Sequence, residues 1–129
     1  MTQPSLSASN VFDAPDLKIH EESVPEWPNT DGTPGLMIFR QMNAEQSKKF
    51  AKDMDGPLGE DGMFLVLIRS TIDRDGNYVF AADDAPEEVI QDVIQKLRKK
   101  NMAVLNRLQR ICLSLNGLGV AAKEEIKKD

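Results

Sequence analysis

Two apolar stripes towards the C-terminal end constrain this chain more than any other feature. Val89, Ile90, Val93, Ile94 and Leu97 recur at 3.6-residue spacing, and Leu105, Leu108, Ile111, Cys112 and Leu115 repeat the pattern beyond a break at Asn101. Stripes of this kind belong to helices that bury one face and solvate the other. Asp84 is placed to cap the first helix, with Pro86 near its first turn and Glu87 and Glu88 set favourably against the helix dipole. Lys96, Arg98, Lys99 and Lys100 crowd its C-terminal end, where cations are favoured. Gly117 suits a C-terminal stop for the second helix, and a last short helix is predicted over 121–128, with Glu124 and Lys128 spaced as an i,i+4 pair.

Upstream, Asn43 predicts the cap of a helix starting at Ala44, with Phe50 and Met54 on one face and Asp55-Gly56-Pro57 as its stop. Residues 59–62 read as a loop. Residues 63–72 are the most apolar segment, and their length and β-branched content suit either helix or strand. The helical reading, with Phe64, Leu67, Ile68 and Ile72 on one face, is preferred. Leu36 to Phe39 suits a short strand, Asp73 to Asn77 a tight turn in which Gly76 or Asn77 takes positive φ, and Tyr78-Val79-Phe80 an extended segment. Residues 1–16, rich in Ser, Asn, Pro and Asp, cannot repay the entropy of ordering and read as a flexible arm before a single helical domain over 17–129. The expected fold is mainly α: four to five helices with a small β-hairpin or two-stranded element built from parts of 36–40 and 78–80.

A chain of 129 residues suits one domain, and with aromatics at 5% its core must be filled by Leu, Ile, Val and Met. No stretch approaches the roughly 20 apolar residues that span a bilayer, and no basic-then-apolar leader opens the sequence. Cys112 is the single cysteine, within an apolar pattern, and is expected to be a buried, inert thiol.

Catalytic patterns are not found. His20 is the only histidine and lies more than ninety residues from Cys112, in a polar segment that suits a surface residue. Zinc would need more Cys and His ligands than these two. Asp73-x-Asp75-Gly76-Asn77 has its glycine at position four, where a calcium loop of the EF-hand kind needs position six. No glycine pair is followed by Lys-Ser or Lys-Thr, so no phosphate cradle is indicated. Asp83 and Asp84 could do acid–base work but are more simply capping groups. No catalytic residue, cofactor or metal is expected.

Charge is unevenly spread. Residues 1–90 carry 7 basic and 17 acidic residues, a net of −10, whereas residues 91–129 carry 9 basic and 4 acidic, a net of +5. The acidic part argues against nucleic acid as a partner. Such a split is either two solvated surfaces of unlike sign or a means for one copy to meet another. The candidate partner or self-association surface comprises Lys96, Arg98, Lys99, Lys100, Arg107 and Arg110, with Trp27 and Met37. The six methionines either fill the core or offer adaptable contacts to helical partners.

The order of short motifs carries a resemblance. Val24-Pro25-Glu26-Trp27 follows the polar arm, and Leu36-Met37-Ile38-Phe39-Arg40 comes after a turn. Arg69-Ser70-Thr71-Ile72 runs into Asp73-Arg74-Asp75-Gly76-Asn77-Tyr78-Val79-Phe80. Leu105-Asn106-Arg107-Leu108, Leu115-Asn116-Gly117-Leu118 and a Glu- and Lys-rich end close the chain. This order, over roughly residues 17–129, resembles the tail assembly chaperones of siphophages, with their "VPEW" and "LNGL" segments. Pro28-Asn29-Thr30-Asp31-Gly32 departs from the glycines common there. The resemblance implies a non-catalytic helper that binds and solubilises the tape measure protein and lets tail tube protein assemble around it. It also implies self-association as a homo-oligomer, action in the host cytoplasm and absence from the mature virion. In such families a frameshifted longer form contacts the tail tube protein. Neither nucleic acid nor membrane is an expected partner. The alternative expectation is a small phage or bacterial protein-interaction adaptor or regulator.

Overall fold

The computed structural model describes residues 3–118. Its centre is the most apolar segment of the sequence. Helix α3 (Gly62–Ser70) buries Leu65, Val66, Leu67, Ile68, Arg69 and Ser70 consecutively. A helix hydrophobic all round must be surrounded, not laid on a surface. It is enclosed by α2 (Ala44–Met54), α5 (Met102–Leu115) and the sheet, and α4 (Glu87–Leu97) adds Ile90, Ile94 and Leu97 to the same core. The single apolar face drawn through Phe64, Leu67, Ile68 and Ile72 is therefore too narrow: Leu65 and Val66, placed off it, are fully buried.

The apolar run is divided between two kinds of structure. The helix ends at Ser70, Thr71 turns extended, and its hydroxyl donates to the Leu67 carbonyl at 2.6 Å. Thr71–Ile72 then form the short strand β3. Strands β1 (Ile19–Val24) and β2 (Gly35–Arg40) are antiparallel, with Ile19 opposite Arg40 and Val24 opposite Gly35. β3 joins the far side of β2, with Ile38 opposite Ile72 and Phe39 opposite Thr71, in the order β1-β2-β3. Val24, Phe39 and Thr71 share the face turned to the core and are buried.

This sheet corrects the expected fold class. The described residues form five helices and a three-stranded antiparallel sheet, a mixed α/β architecture, where a mainly α fold with a small two-stranded element was expected. The strand over 36–40 is present, but its partners are 19–24 and 71–72, not 78–80. Ile-His-Glu-Glu-Ser-Val hides its strand character because its one fully buried side chain is Val24, at the end of an edge strand. Tyr78 makes only an isolated bridge to Ile72, and Val79 is exposed. The turn before it forms as expected: Asp73 accepts from the Asp75 and Asn77 amides, and Gly76 alone takes positive φ (85°).

Helix termini follow the sequence with one correction. Asn43 makes a reciprocal capping box with Gln46. Asn101, read as a break, is the cap of α5 and accepts from the Ala103 and Val104 amides. Asp84 does not cap α4: the helix begins after Pro86, whose extended backbone occupies the cap position, and no side chain caps it. Residues 59–61 form a 3-10 turn where a loop was expected. Within the arm, Ala8–Asp13 form the short helix α1, with no buried residue. The helix expected over 121–128 lies outside the described residues.

Candidate functional site

The residues singled out in the sequence fall into three places. Trp27, Lys100 and Arg107 meet where the end of the β1 strand faces α5. Arg107 donates to both carboxylate oxygens of Glu26, at 2.8 and 3.1 Å, and Lys100 Nζ lies 5.9 Å from the centre of the Trp27 ring. This bidentate pair holds the Glu26 carboxyl below its usual range and raises the Arg107 guanidinium. The segment is shaped by Gly35, because a Cβ there would collide with the Trp27 carbonyl oxygen. Val24-Pro25-Glu26-Trp27 is thus fixed from two sides.

Two of the other four candidate cations are engaged within the chain. Lys96 pairs with Asp92 at 2.9 Å, one helical turn away, and Arg98 pairs with Asp61 of the 3-10 turn. Lys99 and Arg110 are exposed, and neither has an acidic partner among the described residues. Met37 is half-buried and packs against the core.

Asn116, in the Leu115-Asn116-Gly117-Leu118 motif, has a role its sequence position does not announce. Its side-chain oxygen accepts the Met42 amide at 2.7 Å. Its nitrogen donates to Ser70 Oγ at 3.0 Å and to the Cys112 carbonyl at 2.8 Å. Gln41 donates to the Leu115 carbonyl at 2.8 Å. The end of α5 is thereby tied to the exit of β2 and the end of α3. Gly117, with φ 72°, turns the chain out of the helix.

A second polar centre was not foreseen. Arg69, within residues 63–72, is 2% exposed. Its guanidinium donates to the Ala82 and Asp83 carbonyls, both at 3.2 Å, and lies 3.6 Å from the Asp83 carboxylate and 3.7 Å from that of Asp53. Gln46 donates to Tyr78 and to Asp83, and Lys49 donates to the Asp83 carbonyl. Gln46, Lys49, Arg69 and Asp83, with Glu45 and Asp84, line a cavity of about 280 Å³ between α2 and the 82–84 segment. A charge directly after the apolar run Met63 to Ile68 was the available signal, since buried arginines occur where partners are supplied. The geometry of the cluster is that of a clamp joining α2, α3 and the 78–84 segment.

Cys112 is fully buried, and desolvation pushes its thiol up to about 12. His20 lies half-exposed on β1, 3.0 Å from Glu22. Among the described residues, no group of three or more His, Cys, Asp or Glu is arranged to hold a metal ion, and no helix is long and apolar enough to cross a membrane. Comparison with known protein families, curated proteins and solved structures found no match to this chain.

Proposed function

We propose that this chain is a tail assembly chaperone of a long-tailed bacteriophage, which binds the tape measure protein, keeps it soluble and aids assembly of the tail tube around it. The observation that carries the reading is the convergence of its motifs. Glu26, from the Val-Pro-Glu-Trp segment, is bridged to Arg107 of the Leu-Asn-Arg-Leu segment. Asn116, from the last motif, binds the exits of β2 and α3. Motifs that are individually just turns and caps thus act together as the ties of one domain, as expected when their order is inherited as a unit.

The surface supports the same reading. Met54, Met63 and Met102 are between 39% and 68% exposed, which offers unbranched, adaptable side chains to a helical partner. A tape measure protein is long and apolar on one face before the tube encloses it, so many weak contacts from several copies give avidity. Self-association through unlike charges would use Lys99, Lys100 and Arg110, the candidate cations without an acidic partner among the described residues.

The test is co-expression with a phage tape measure protein, which the proposed role places in the next long reading frame. The expected result is a soluble complex containing several copies of this chain per tape measure chain. Tape measure protein that stays insoluble, with this chain a monomer at every concentration, would overturn the proposal.

A further inference from the structure

The arm carries a formed helix that nothing among the described residues covers. In α1, Ser7 and Asn10 make a reciprocal capping box. Leu6 and Val11 occupy the N′ and N4 positions at which a hydrophobic staple sets the start of a helix. Leu6 is 75% exposed, Val11 51% and Phe12 82%. A helix of one and a half turns does not persist alone in water, so its apolar side chains need a surface to dock on.

A groove of matching character lies between β1 and α5. It has a volume of about 330 Å³ and is lined by His20, Arg110, Ile111, Ser114 and Leu115. Its floor is apolar and half-buried. The acid nearest its strand side, Glu22, is engaged by His20 and Arg107. Arg110 on the rim has no acidic partner among the described residues. The only charges on the described arm before Leu17 are Asp13 and Asp16. An apolar helix followed by two acids therefore meets an apolar floor beside a cation that no described acid engages.

We infer that α1 of one copy docks in the β1–α5 groove of a second copy, with Phe12 against Ile111 and Leu115 and Asp13 or Asp16 at Arg110. Chain geometry selects the second copy over the arm's own groove. Lys18 is anchored at the groove's edge, because its carbonyl accepts from Gln41, whose side chain donates to the Leu115 carbonyl. To reach that same groove, the arm would have to reverse within residues 14–17. Ala14 is extended (φ −69°, ψ 125°) and precedes Pro15, which disfavours a helical turn there. In its own chain α1 lies undocked, with none of its residues buried. This deepens the self-association part of the proposed function.

Cross-linking of the full-length chain tests it, since Cys112 is the only native cysteine and is buried. Separately purified Phe12→Cys and Ser114→Cys proteins, distinguished by mass tags, are mixed and oxidised gently at low salt. The expected product is the mixed disulfide dimer, in excess over both homodimers. It is lost with Arg110→Glu and regained when Asp13→Lys and Asp16→Lys are added to the Phe12→Cys partner. No mixed dimer, or a Phe12→Cys/Ser114→Cys double variant that closes only within one chain, would overturn the inference. Both altered positions are exposed, and circular dichroism checks that the variants fold. Solubilisation of the tape measure protein is read separately, so failure of arm exchange and failure of the chaperone role are distinguishable.

Discussion

Asn116 and Met42, 74 residues apart, are joined by a 2.7 Å hydrogen bond from the Met42 amide to the Asn116 side-chain oxygen. The same side chain donates to Ser70 Oγ and the Cys112 carbonyl. Asn116→Ala removes all three bonds and should cost about 2–3 kcal/mol, at about 1 kcal/mol for each net bond. Asn116→Asp keeps the acceptor for Met42 and should cost less. Urea unfolding with an unchanged slope measures both. An alanine variant as stable as the parent would show that the motif is not a structural tie.

Glu26 gives a pH signature. Arg107 lowers its native pKa, so the carboxylate contributes stability above its unfolded value of 4.5, and that contribution is lost as pH falls through the lower native value. Arg107 is raised above its ordinary value and remains charged throughout this range, so the acid limb belongs to Glu26. Glu26→Gln should lower the thermal midpoint at pH 7, with the difference closing in acid and shrinking in high salt. Parallel melting-temperature profiles for parent and variant across pH 3–7 would contradict this assignment.

Arg69→Ala should be among the most damaging single changes. It leaves Asp53 and Asp83 without their buried counter-charge and opens space beside α3. Because the Asp83 side chain is 40% exposed and can be rehydrated, the expected loss is about 3 kcal/mol, at the lower end for broken buried pairs. Arg69→Lys should recover only part of this, since one ammonium cannot serve two carbonyls and two carboxylates in the same planar arrangement. Equilibrium unfolding of the two variants decides it; equal stability of Arg69→Lys and the parent would sink the clamp description.

Cys112 should resist alkylation at pH 8 until the chain unfolds, because burial keeps the thiol protonated until about 12. The native pKa lies above the unfolded value of 9.0, so this contribution is complete below 9.0 and is lost as pH rises from there towards about 12. Cys112→Ala should show a shallower alkaline decline in stability than the parent. Rapid labelling of the native protein by a thiol reagent would refute the buried state.

What the sequence by itself determined is local and periodic. The α4 and α5 stripes, the Asn43 cap, the Asp73–Asn77 turn and the inert Cys112 each depend on residues within a turn or two of one another or on plain hydrophobicity. Pairing across distance was left to the tertiary structure. A strand written Ile-His-Glu-Glu-Ser-Val becomes one because β2 offers it a ladder and Val24 a place in the core, and Thr71–Ile72 leave the helix to pair with the far side of β2. The same holds for the surface. A run of cations reads as one basic patch in one dimension, but Arg98 is drawn to Asp61 and Arg107 to Glu26 across the fold. Arg69 can lie in the core because Asp53, Asp83 and the 82–83 carbonyls are brought to it from separate segments, and the free energy of a buried charge depends on partners that its own neighbours in sequence cannot supply.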